Sequence, residues 1–177
     1  MQVFKNELLS YKNKKLLSSS SIERATIDYR KAWEVGILYS VVDLEKHEKI
    51  KAFIKLLEKD IKKVEVLTFL GKDKENYEFR NNYFTENDFS FWGNLDSEIV
   101  KKFAEKKFDY LFCIDLDSNI YTENIMARSQ ASCRVGRFSK SNKDFFELMI
   151  KINDGANVQE LIEQMYHFIK LLRCPEN

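Results

Sequence analysis

Apolar positions along the chain fall into runs of two kinds. "VGILYSVV" (35–42), "VEVLTFL" (64–70), "YLFCID" (110–115) and "CRVGRF" (133–138) are short and nearly unbroken. Runs of that length, rich in Val, Ile and aromatics, predict strands buried on both faces. "FFELMIKI" (145–152) predicts a fifth strand. Between them the spacing changes. "LEKHEKIKAFIKLLEKDIKK" (44–63) places Ile50, Phe53, Ile54, Leu57 and Ile61 at helical intervals among lysines and glutamates. "DSEIVKKFAEKK" (96–107) opens on Asp96 or Ser97 as a cap and sets Ile99, Val100 and Phe103 on one side. "NIYTENIMARSQ" (119–130) predicts a short helix, and "VQELIEQMYHFIKLL" (158–172) an amphipathic one.

Strand and helix therefore alternate, which predicts a three-layer Rossmann-like α/β sandwich with a mainly parallel sheet of about five strands. Between 133–138 and 145–152 there is little room for a helical crossover, so that edge is expected to be antiparallel. The organisation expected is a basic helical segment over 1–32 and one α/β domain over 33–177. In the first 32 residues, seven Lys or Arg stand against three acids, a local charge of +4. Such a segment is either an arm for RNA or an acidic partner, or a solvated and partly frayed terminal helix. The second is the commoner outcome for chain ends. Residues 72–95 form a long polar connection studded with aromatics: Tyr77, Phe79, Tyr83, Phe84, Phe89, Phe91 and Trp92. Beside Arg80 they could stack bases. Without a matching basic track they are expected to pin the connection to the body.

Bulk properties narrow the function classes. A chain of 177 residues with net charge +1 carries no global signal for nucleic acid or an anionic membrane. No apolar run reaches the roughly 18–20 residues of a membrane span, and no secretory leader pattern opens the chain. Cys113, Cys133 and Cys174 are odd in number and widely spaced, as reduced cysteines of a cytoplasmic protein are. Only two histidines, His47 and His167, are present, so a histidine-rich metal site is not expected.

Candidate chemistry gathers at strand ends. In doubly wound sheets ligands bind beyond the carboxyl ends of the strands, where strand order reverses. Asp43, Asp115 and Asp117 all follow strands at that end. Their companions are the difficulty. The five glycines (36, 71, 93, 136, 155) are scattered, so neither a dinucleotide fingerprint nor a phosphate loop can be drawn. "DLDSN" (115–119) resembles the D-x-D-G-T signature of haloacid-dehalogenase phosphatases, which would make Asp115 the nucleophile and Asp117 the acid/base. Ser118 and Asn119 replace that family's Gly and Thr, and no later pair of acids follows a strand. The Asp-x-Asp of metal-dependent glycosyltransferases is a second likeness, short and without the size of that fold. Absent such companions, acids at these places are expected to cap helical N–H groups. Arg128, Arg134 and Arg137 either gather an anion or pair with acids.

Two broader resemblances remain. "FDYLFCIDLDSNIYTENIMARSQASCRVGRF" (108–138) is similar to part of the N-terminal Rossmann-like half of heptosyltransferases: a strand ending Ile-Asp-Leu, a helix with Arg-Ser, a strand with Arg-Val-Gly. The chain has no room for the second half, so this likeness implies a fold more than an activity. Through "VGILYSVVD", "YFTENDFSFWGNL", "KKFDYLFCID", "ARSQASCRVGRF" and "DFFELMIKI", most of residues 1–172 resembles a bacterial family with a domain of unknown function. That resemblance implies a compact α/β protein with a lysine-rich N-terminal helix and supplies no catalytic residues. The expectation is a non-catalytic binding or interaction module with an unidentified protein partner, no cofactor and no metal. The alternative is a small sugar- or nucleotide-phosphate-handling enzyme or ligand-binding domain using Asp43, Asp115 and Asp117.

Overall fold

The computed structural model describes residues 2–72 and 82–173; Tyr77, Phe79, Arg80 and Cys174 lie outside them. Six strands make one sheet: β1 (Glu34–Ser40), β2 (Lys63–Phe69), β3 (Asn82–Phe84), β4 (Tyr110–Cys113), β5 (Cys133–Arg137) and β6 (Leu148–Ile150). Their order is β3-β2-β1-β4-β5-β6, and every pairing is parallel. Five helices flank the sheet: α1 (Gln2–Ser19), α2 (Leu44–Lys59), α3 (Glu98–Glu105), α4 (Ile120–Arg128) and α5 (Val158–Leu171). This is the Rossmann-like α/β fold that the alternation predicts. Among the described residues no helix is long and apolar enough to cross a membrane.

The unbroken apolar runs divide by residue parity. In β1, Val35, Ile37 and Tyr39 enter one core with Ile50, Phe53 and Leu57 of α2 and Leu161, Met165 and Ile169 of α5. Leu38 points the other way, to Leu9 of α1, Phe103 of α3 and Ile125 and Met126 of α4. Side chains alternate across a strand, so a strand between two helical layers must be apolar at every position.

Two features depart from the pattern. The edge formed by β6 is parallel, not antiparallel. Phe145 and Phe146 belong to the connection, not to the strand, and both are buried in the second core. A 3₁₀ turn at Lys143–Phe145 takes the place of a crossover helix. Asn142 closes it, accepting from Ser139 N and donating to Arg137 O. Ten residues suffice because β6 itself is only three residues long.

The second departure is at the N-terminus. α1 is not solvated throughout; it lies along α4 with Leu9 and Asn13 buried. Asn13 Nδ2 donates to Ile120 O (3.0 Å), and Asn124 Nδ2 donates to Asn13 Oδ1 (2.6 Å). A buried stripe containing asparagine does not look amphipathic, which hides this packing from periodicity. Lys5 donates to the carbonyls of Glu86 and Phe89, and Lys12 to Asn94 Oδ1. The aromatic connection is thus held by lysines as well as by its own buried Phe84 and Phe89. Tyr83, Phe91 and Trp92 stay exposed, with Phe91 stacked on Phe4 of α1 at 6.1 Å.

Two backbone positions give tests. A Cβ at Gly136 would fall on the ring of Phe146. Gly136→Ala should therefore destabilise the fold by about 1–3 kcal/mol in chemical denaturation, the usual range for overpacking. Ile61, exposed beyond the end of α2, holds φ +60°, a left-handed conformation that β-branched residues rarely adopt. Ile61→Gly should raise the melting temperature, relieving about 1 kcal/mol of strain.

Candidate functional site

β1 leads through α2 to β2 on one side, while β4 leads through α4 to β5 on the other. Strand order therefore reverses between β1 and β4, which are hydrogen-bonded neighbours. Beyond their carboxyl ends lies a cleft of about 480 Å³. Its walls come from Ser40 at the end of β1 and 41–43 after it, Glu45, Lys46 and Lys49 of α2, 115–119 after β4, Phe69 at the end of β2 and Gly71 after it, and Asn157 and Val158 at the start of α5. The structure brings Asp43, Asp115 and Asp117 together here, as their positions in sequence imply. None of Phe89, Phe91 and Trp92 lines it.

The three acids do different work. Asp43 is the N-cap of α2, its Oδ1 accepting from Lys46 N at 2.7 Å. Asp115 is buried and fully bonded. Oδ1 accepts from Ser40 N (2.8 Å) and Lys46 Nζ (2.6 Å). Oδ2 accepts from Ser40 Oγ (2.9 Å) and Thr122 Oγ1 (3.2 Å). One carboxylate thereby ties β1, α2 and α4 to the end of β4. Asp117 is exposed and makes no hydrogen bond or ion pair among the described residues.

The capping expected of Asp115 and Asp117 falls instead to Asn119. Its Oδ1 accepts from Tyr121 N and Thr122 N, and its Nδ2 donates to Ser40 Oγ at 2.9 Å. The preference is geometric: Asn119 immediately precedes α4, where a short polar side chain reaches the first free N–H groups. Asn157 does the same for α5, accepting from Gln159 N and Glu160 N.

Lys46, Ser40 and Thr122 are the site residues that the sequence reading missed. One signal was legible. Lys46 stands in the first turn of a helix, where the dipole disfavours a cation. A lysine held there needs a carboxylate from elsewhere, and Asp115 is that carboxylate. Ser40 and Thr122 carry no comparable mark.

Other chemistry-bearing groups are occupied or remote. His47 is buried, its Nδ1 2.7 Å from Tyr39 Oη, and burial lowers its pKa. Cys113 is buried beside Asp115; desolvation, helped by that charge, pushes its thiol well up and away from reactive thiolate. Glu123 is raised by burial too. Arg134 is buried and pairs with Glu147 through Nε and Nη2, while Arg137 donates to Leu116 O. Among the described residues no three His, Cys, Asp or Glu side chains gather as a metal-holding group.

A family model for a family of unknown function (DUF6913) matches residues 5–172. The chain belongs to that family. No curated protein matches it. Membership therefore brings no assigned activity to the cleft, and its chemistry has to come from the geometry above.

The geometry separates the two acids of the D-L-D stretch. Lys46 and Asp115 side chains are 8% and 7% exposed, so removing one charge strands the other away from water. Asp115→Asn should destabilise the protein by about 3–5 kcal/mol in denaturant titration. Asp117→Asn should change stability by less than about 0.5 kcal/mol.

Proposed function

We propose that this protein is a non-catalytic binding module that holds a small, hydroxyl-bearing molecule in the cleft between the ends of β1 and β4. The observation that carries the reading is an open cleft at the switch point whose buried carboxylate is wholly engaged in structural bonds. Asp115 has no lone pair left uncommitted by Ser40, Lys46 and Thr122, so it is a poor nucleophile or proton carrier.

Charge supports a neutral ligand over an anionic one. Four acids (Asp43, Glu45, Asp115, Asp117) line the cleft against two lysines. Lys46 is held by Asp115, and Lys49 by Glu45 at 2.5 Å. The helix N-termini that usually receive phosphates are already capped from within by Asp43, Asn119 and Asn157. What remains is an apolar wall of Val41, Val42, Phe69, Leu116 and Val158 beneath rim acceptors such as Asp117. Apolar walls with a few placed polar groups suit a sugar or nucleoside. A reducing, cytoplasmic setting belongs to the same reading, supported by the buried free thiols of Cys113 and Cys133.

A second reading keeps the sugar- or nucleotide-phosphate chemistry. The convergence of the α2, α4 and α5 N-termini on one cleft favours it, since each still has first-turn N–H groups beyond those its cap engages. The likeness of 108–138 to one half of heptosyltransferases points the same way.

Thermal-shift titration with monosaccharides, nucleosides and their phosphates separates these readings. An unphosphorylated compound should stabilise the wild type, by about 2.7 kcal/mol at one hundred times its Kd. Val42→Trp, at an exposed cleft position, should abolish that shift. Binding confined to phosphorylated compounds would favour the second reading. Turnover of a bound compound would sink the non-catalytic one.

A further inference from the structure

A second groove, of about 360 Å³, lies on the other side of the sheet. It runs between the C-terminal end of α1, the side of α3 and the C-terminal end of α4. Its polar lining includes Ser19, Ser20, Ser21, Lys101, Arg128 and one acid, Glu105. Arg128 is the unusual member. Its Nε donates to Asn124 Oδ1 at 2.7 Å, and Asn124 is itself fixed by Asn13 of α1. This buried asparagine ladder holds the guanidinium by one edge.

The Nη groups of Arg128 have no hydrogen-bond or ion-pair partner among the described residues. The other described arginines each have an acid or a carbonyl. Arg24 bonds Ala131 O and Ser129 O, Arg30 pairs with Asp28, and Arg134 with Glu147. Arg137 bonds Leu116 O, and Arg173 bonds Lys170 O. Arg128 is only partly exposed. Desolvation lowers its pKa, and no carboxylate pairs with it among the described residues. Glu105, on the groove's rim, is exposed and pairs with no cation among the described residues.

A partly buried guanidinium without a counter-charge is costly, and its planar fork matches an oxyanion with two acceptor oxygens. We infer that this groove is an oxyanion site, with Arg128 as its anchor and the hydroxyls of Ser20 and Ser21 as further donors, for a phosphate group free or carried on a small molecule. The asparagine ladder pre-orients the anchor, so little side-chain entropy is lost on binding. The site is separate from the cleft at the switch point and does not depend on the function proposed for it.

The competing explanation is that Arg128, in the last turn of α4, only complements the helix dipole. Calorimetric titration at constant ionic strength distinguishes them, with inorganic phosphate and glycerol phosphate as probes and chloride as control. Saturable phosphate binding is expected, weakened by about tenfold or more in Arg128→Gln and less in Arg128→Lys. Ser21→Trp, which fills the groove from an exposed position and leaves the guanidinium in place, should also abolish it. This second variant keeps the test open should Arg128→Gln fail to fold. Val42→Trp, in the other cleft, should leave it unchanged. Tighter binding of glycerol phosphate would identify a carried phosphate; tighter inorganic phosphate, the free ion. No binding, equal heat from chloride, or full binding retained in Ser21→Trp would overturn the inference. Loss in Val42→Trp alone would instead place the phosphate in the switch-point cleft.

Discussion

The carboxylate of Asp115 is the constraint on which the central part of the molecule depends. It stands where the sheet's connectivity reverses, so the chains on its two sides leave in opposite directions. Nothing in the backbone ladder between β1 and β4 fixes how α2 and α4 sit relative to each other beyond the strand ends. Asp115 does so, accepting from Ser40 on β1, Lys46 on α2 and Thr122 on α4. A buried ion pair is weak support for stability when compared with an apolar pair, because desolvating two charges offsets much of their attraction. Its value lies in direction. Four donors on three elements define a position for each, which no apolar contact of the same size would do.

The same reasoning extends to the opposite face. α1 is held on α4 by Leu9 and by Asn13, which accepts from Asn124 and donates to Ile120 O, and α4 in turn donates to Asp115 through Thr122. Buried amides in an otherwise apolar contact fix the register of two helices, since a shift along the axis leaves both unsatisfied. The ladder continues to Arg128, whose Nε completes the acceptor capacity of Asn124 used here. α4 thus carries two sets of polar contacts, Thr122 toward the end of β4 and Asn124 toward Asn13 within α1 and Arg128 in its own last turn. The helix thereby connects the neighbourhoods of both grooves.

Most of the fold was legible because both-face burial writes itself as continuous apolar runs. β1, β2, β4 and β5 sit within a residue or two of those runs. β3 was hidden, being three residues inside a polar, aromatic connection, too short to show a period. The direction of β6 was misjudged because Phe145 and Phe146 are apolar for packing against α4's layer, not for strand pairing. At the site, the place was legible and the roles were not. Asp43, Asp115 and Asp117 do line one cleft, yet only Asp43 caps a helix. A sequence shows that an acid follows a strand; it does not show which donors the tertiary structure brings to it. Lys46 was the exception, a cation placed against a helix dipole and therefore owed a partner.

The two grooves differ in how each treats charge, and that difference decides what each can recognise. At the switch point the lysines are held by carboxylates, and each helix N-terminus is capped in part by Asp43, Asn119 or Asn157. On the proposed reading, selectivity there comes from shape and from rim acceptors, which favours hydroxyls over anions. Beside Arg128 the balance is reversed, because a strong donor is held in place and left unanswered. A fold that pairs Arg24, Arg30 and Arg134 with carbonyls or acids had the means to pair Arg128 as well, with Glu105 on the same groove. The absence of that pairing among the described residues, with the guanidinium already fixed by Asn124, leaves the position suited to an anion that comes from outside the chain.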